Sequence, residues 1–200
     1  MGGSVMASII NATTTGITVT GDNSGQLTLS ANGSTALTAN TTGYLNFAKQ
    51  PTIGGNEWPA FSAYKTSHQS YSDNTWTKIT YDTEEYDTNS NFASSRFTPT
   101  VAGYYLFTAR NQFIADGTAM AEVNSAFWKN GAIAKTGTYK YQPAALTAQF
   151  GSTTSAVIYC NGSTDYVECY VRTDGSTLYV YGAAGAAPYT YFQGILMRAA

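Results

Sequence analysis

The chain has 200 residues, a formal net charge of −2, 43% hydrophobic residues and only 11% charged residues. Soluble domains usually carry about 25% charged residues, so most of this polar surface must be built from Thr, Ser, Asn, Gln and Tyr. Near-neutral charge supplies no electrostatic footprint for nucleic acid or an anionic membrane. No apolar run reaches membrane-spanning length, so membrane insertion is not expected. The length suits one full domain with a small appendage, and its core needs no staples.

Residues 1–15 are a Ser/Thr/Asn-rich lead, read as an attachment arm. They contain no basic residue, so a secretory leader is not expected, and Met6-Ala7-Ser8 offers an alternative start. A quasi-repeat follows in 16–50: Gly16-Ile17-Thr18-Val19-Thr20, Gly25-Gln26-Leu27-Thr28-Leu29 and Ala36-Leu37-Thr38-Ala39, with Ile17, Leu27 and Leu37 ten apart. Each unit alternates like a strand and ends in Gly, Asn or Asp turn chemistry. Tyr44-Leu45-Asn46-Phe47 reads as a last strand of this set. Such units bury little alone, which favours a β-rich shaft built between chains over two hairpins packed on a main domain. Pro51 and the pair Gly54-Gly55 mark 51–57 as a linker.

From Trp58 the texture becomes aromatic and strand-dense, and 58–200 reads as an all-β head. Strands are expected near 60–65, 76–80, 84–88, 95–98, 103–113, 122–129, 132–136, 145–150, 154–160, 165–172, 177–182 and 190–198, with no helix. Two runs stand out, Gly103-Tyr104-Tyr105-Leu106-Phe107 and Tyr191-Phe192-Gln193-Gly194-Ile195-Leu196-Met197. Both are apolar on both strand faces. A strand in a lone sandwich needs one apolar face, so the second calls for a further partner. Tyr105 and Phe107 share one face, Tyr104 and Leu106 the other. One set should fill the sandwich and the other an oligomer interface, with Phe192 and Ile195 on the companion strand.

The order of motifs resembles the C1q-like globular head, the jelly-roll relative of the tumour-necrosis-factor domain. Pro59-Ala60-Phe61-Ser62-Ala63 resembles its opening strand. Phe97-Thr98-Pro99-Thr100-Val101-Ala102-Gly103-Tyr104-Tyr105-Leu106-Phe107 resembles its central signature. Trp128-Lys129-Asn130-Gly131 resembles its hairpin turn. Asp165-Tyr166-Val167-Glu168 resembles a later strand start, with Thr164 where that family usually has Gly. Phe192-Gln193-Gly194-Ile195-Leu196 resembles its closing strand. The resemblance spans about 58–198 and implies a ten-stranded jelly roll forming a homotrimer. That family often has a collagen stalk, but no Gly-X-Y period occurs here. The Thr/Ser/Asn texture of Gly21 through Asn40 instead resembles a bacteriophage fibre or virion-surface protein.

Chemistry is sparse. His68 is the single histidine, and Ser67, Ser70 and Asp73 around it are too close in sequence to set up a triad. The acidic run Asp82, Glu84, Glu85 and Asp87 is a weak Ca²⁺ candidate, with a solvated edge the plainer reading. No other cofactor is expected. Four Asn-x-Ser/Thr acceptors, at Asn11, Asn32, Asn40 and Asn161, read as incidental. Cys160 and Cys169 flank a turn and should sit on neighbouring hairpin strands, as free buried thiols rather than a strained disulfide. Among 16 Tyr and 3 Trp, most should be packing. Trp58, Tyr71, Trp76 and Tyr189 are the ligand-contact candidates for a host-surface glycan or protein.

The expectation is a non-enzymatic virion protein, made in a host cytoplasm. It would be a trimeric fibre whose head serves host recognition and whose arm binds other virion proteins. Capsid decoration through the arm, and a secreted bacterial C1q-like adhesin, are the alternatives.

Overall fold

The computed structural model describes the backbone of 18–21, 27–31, 34–39 and 45–47. It also describes 58–200 apart from 116–119, 147–148, 175–177, 184 and 186. The chain divides into two units, Met1–Thr52 and Ile53–Ala200. The attachment arm and the linker expected at 51–57 lie outside the described residues.

In the first unit, β1 (Thr18–Gly21), β2 (Leu27–Ala31), β3 (Ser34–Ala39) and β4 (Leu45–Phe47) form an antiparallel meander in chain order. The register aligns Val19, Leu29, Leu37 and Phe47 in one row. A second row on the same face holds Gly21, Leu27, Ala39 and Leu45. The intervening row is Thr20, Thr28, Thr38 and Asn46. The period-2 alternation read in the sequence therefore segregates apolar from polar positions across four strands.

The second unit carries β5 (Ala60–Tyr64), β6 (Gln69–Tyr71), β7 (Thr77–Lys78), β8 (Thr83–Asp87), β9 (Phe92–Ala93), β10 (Arg96–Phe97) and β11 (Ala102–Ala115). They are followed by β12 (Met120–Lys129), β13 (Ala132–Leu146), β14 (Phe150–Asn161), β15 (Val167–Asp174), β16 (Leu178–Val180) and β17 (Tyr191–Ala199). No helix occurs among the described residues. The first sheet runs β14-β11-β17-β5-β8, with β16 paired to the last residues of β11, past the β17 ladder, and β6 paired to β16. The second runs β13-β12-β15-β10-β9, with β7 beside β15. From β10 onward the chain alternates between sheets, except for the β12–β13 hairpin and the consecutive first-sheet strands β16 and β17. Strand orders β5-β17-β11-β14 and β10-β15-β12-β13 in two facing antiparallel sheets are those of a jelly roll.

Local chemistry sets these joints. Asn130 and Gly131 both have positive φ, 53° and 81°, the twist that a two-residue hairpin turn needs between β12 and β13. Gly162 (φ 73°) opens the crossing from β14 to β15. Asn161 Oδ1 ties that crossing by accepting from the backbone N–H groups of Ser163, Thr164 and Asp165 at 3.0 Å each.

The core lies between the sheets and is dominated by phenylalanine. Phe61 stacks on Phe97 at 4.5 Å and on Phe92 at 4.8 Å, and meets Phe192 edge-on at 4.9 Å. Phe107 and Phe127 complete the cluster, all of it buried.

Three sequence expectations change. The strand expected at 132–136 opens one long strand, β13, which runs on to Leu146 with repeated bulges against β12, while Phe150 at the end of the expected 145–150 strand opens β14. Short strands β6 and β9 were not expected. Cys160 and Cys169 are not neighbours on a hairpin. Cys160 pairs with Gly103 in the first sheet and Cys169 with Phe127 in the second, because residues 161–166 cross between sheets. Both are buried free thiols.

Candidate functional site

Strand alternation gives β11 two different faces. Tyr105, Phe107, Ala109 and Phe113 are fully buried between the sheets. Tyr105 also donates its hydroxyl to Val101 O at 2.7 Å, which satisfies the phenol inside the core. Tyr104, Leu106 and Thr108 occupy the opposite face. Leu106 lies opposite Val157 of β14 on one side and Ile195 of β17 on the other. Tyr104 lies opposite Tyr159, with ring centroids 5.4 Å apart. Tyr86, Leu106, Thr108, Gln193, Gly194 and Ile195 line a shallow depression on this face. The large side chains here, Tyr86, Tyr104, Val157, Tyr159 and Ile195, are 41–51% exposed. They form a largely apolar patch, bordered by Arg198 opposite Tyr104 and by Lys129 over the Tyr159 ring, that the described residues leave uncovered.

Phe192, which sequence reasoning grouped with the interface strand, is fully buried in the core, while Ile195 is on the outer face. Gly194 sits between them because a Cβ there would meet Phe107 and Phe61 at 2.7 Å. Gly103 is likewise required by close approach, since a Cβ there would run into the backbone oxygen of Arg198 and meet Leu196 Cδ1 at 2.7 Å. Tyr86, Val157 and Tyr159 were not singled out in the sequence. For the last two, the alternation Ser155-Ala156-Val157-Ile158-Tyr159 carried the signal, as a β14 apolar on both faces would.

The ligand-contact candidates scatter. Tyr71 packs edge-on against Phe113 at 6.4 Å and accepts from Thr173 Oγ1 at 3.0 Å. Burial raises its phenol above the usual range, so it is a core-edge residue. Trp58 is half-buried, and its carbonyl accepts from Thr88 Oγ1 at 3.1 Å. Tyr189 is 50% exposed and lies near Tyr181 and Arg110. Trp76 packs edge-on against Trp128 at 6.1 Å.

The acidic run does not converge, because β8 sends successive residues to opposite faces. Asp82 accepts from the backbone and hydroxyl groups of both Thr66 and Ser67 at 2.7–3.2 Å. Its burial would raise its pKa, but those four bonds outweigh it and hold the carboxyl at about 2. Glu85 accepts from Ser62 Oγ, and Asp87 binds the N–H groups of Asn89 and Phe92. No group of three potential metal ligands occurs among the described residues. His68 rests against Tyr181 at 4.7 Å, and the Ser67 hydroxyl is committed to Asp82.

The outer face of the second sheet carries a denser constellation. Trp128 stacks on Tyr170 at 4.3 Å and lies opposite Glu168 in the ladder. Glu168 is buried, and one oxygen accepts from Lys78 Nζ at 2.7 Å and Arg96 Nε at 2.8 Å. Burial opposes its ionisation, but the two cations more than compensate and lower its pKa. Arg96 Cζ also lies over the Tyr166 ring, 3.7 Å from its centroid.

No protein-family model and no curated protein matches the chain. Among solved structures, crystal structures of murine APRIL at pH 5.0, 8.0 and 8.5 each match 70% of this chain and 99% of theirs. Their identities are 11%, 10% and 12%, with TM-scores of 0.48, 0.45 and 0.43.

Proposed function

We propose that this chain is a non-enzymatic, homotrimeric bacteriophage virion protein. Residues 1–15 would attach it to other virion proteins, 16–50 would form a β-shaft, and 58–200 would be a C1q-like head serving host-surface recognition. One observation carries the reading: the uncovered apolar face around Leu106 and Ile195, on the middle strands of the first sheet. Middle strands of a monomer's outer sheet face are ordinarily polar. Three copies that bring this face to a common axis would bury it. The meander of 18–47 supports the same arrangement, since a four-stranded sheet with one apolar face needs a covering partner.

The low charge and the Thr/Ser/Asn surface suit a particle exterior, and Asp82, Glu85, Asp87, Asp165, Glu168 and His68 are each engaged in local structure. The test is to mix purified full-length protein with bacterial envelopes and with capsids stripped of surface proteins. Sedimentation with envelopes supports recognition by the head. Sedimentation with capsids alone makes the chain a decoration protein, and binding to neither refutes both readings.

A further inference from the structure

The second sheet faces away from the proposed trimer axis, and this inference rests on that arrangement. Its outer face collects Trp76, Trp128 and Tyr170 beside the Glu168–Lys78–Arg96 trio. Two features set it apart from ordinary packing. Arg96 is fixed by Glu168 through Nε and by the Tyr166 ring below it, yet its side chain is 43% exposed. Its Nη1 and Nη2 groups have no partner among the described residues, which leaves a pre-oriented guanidinium fork turned to solvent. The Trp128 indole N–H is buried without an acceptor, an unmet donor within the aromatic group.

Charge points the same way. Lys78, Arg96, Lys129, Lys135, Lys140 and Arg172, six of the ten Lys and Arg, lie on second-sheet strands against Glu122, Glu168 and Asp174, and Lys129 is paired with Asp165. The run Asp82 to Asp87 lies at the β8 edge of the first sheet. Within the trio, the single carboxylate of Glu168 meets two cations, which leaves one positive charge locally unbalanced.

We propose that this face is a binding site for an acidic glycan. Arg96 takes a sugar carboxylate through its free fork, and Trp76, Trp128 and Tyr170 receive the C–H faces of the sugar rings. Lys78 and Glu168 hold the fork in place as positioning residues.

The test uses full-length protein on an array of carboxylate-bearing glycans paired with their carboxyl-reduced, neutral counterparts. The expected result is retention of acidic members and weak retention of neutral ones, with binding that falls as salt rises. Arg96→Lys keeps a cation against Glu168 but loses the fork, and should lower affinity at least tenfold at unchanged melting temperature. Trp76→Ala, in the segment before β7, should do the same by removing a stacking surface. Equal retention of acidic and neutral glycans overturns the proposal. So does wild-type binding by both folded variants, although glycan recognition elsewhere on the head then stands. Binding to envelopes that persists after their glycans are removed assigns a protein receptor and also overturns it. Absence of binding to any glycan or envelope removes the recognition reading as well.

Discussion

Leu106 lies directly opposite Ile195 across the β11–β17 ladder, and both are on the outer face of the first sheet. One residue away on the same strand, Tyr105 is fully buried. Adjacent residues of one strand thus meet different needs, the sandwich core and a surface that another copy would cover.

Tyr105→Ala and Leu106→Ala should therefore fail differently. The first removes a ring packed on Phe97 and Phe107 and should cost about 3–5 kcal/mol of protomer stability. The second should leave protomer stability nearly intact and weaken association. Denaturant titration at two protein concentrations separates them: the midpoint of a trimer rises with concentration, as it should for Tyr105→Ala, whereas a dissociated Leu106→Ala loses that dependence.

Gly194→Ala should destabilise through overpacking. The new methyl would press on the Phe107 and Phe61 rings, both held in the central cluster. A cost of about 1–3 kcal/mol is expected, read as a lower melting temperature. Gly185→Ala, with nothing within 4 Å of its added Cβ, is the control and should melt like the parent chain.

The acid limb of stability should be steep below about pH 4. Asp82 has a folded pKa of about 2, below the unfolded value of about 3.9. A depressed folded value gives stability that is present above the unfolded pKa and lost as pH falls toward the folded one. Asp165 and Glu168 are shifted in the same direction. Asp82→Asn should flatten the fall in melting temperature between pH 4 and pH 2, and an unchanged slope would contradict the assignment.

Cys160 and Cys169 should be inert in the folded protein. Burial raises both thiols, Cys160 to about 11, and they sit in opposite sheets. A thiol reagent at pH 8 should label neither until denaturant is added, when both should react. Reducing agent should leave the melting temperature unchanged.

The jelly-roll strands were legible because their signals are local. Short apolar and aromatic runs marked β11 and β17, and Lys129-Asn130-Gly131 marked a turn that does adopt positive φ at Asn130 and Gly131. The two-faced character of β11 followed from periodicity alone. The partners of a buried carboxylate were not legible. Nothing in the sequence joins Glu168 to Lys78 and Arg96, 90 and 72 residues away, because the ladder brings them together. The cysteine placement failed for a related reason: a turn-like segment can close a hairpin or cross between sheets, and Gly162 with the Asn161 cap makes it cross. The acidic run looked like a cluster only because sequence proximity hides the alternation of β8.

The most direct test is the solution mass of the full-length protein by light scattering, repeated with Leu106→Arg. The account predicts three times the protomer mass of 21.3 kDa for the parent chain, and a folded protein of smaller mass for the variant. A monomeric parent chain, or a variant that stays trimeric, would contradict the claim that this sheet face joins the copies.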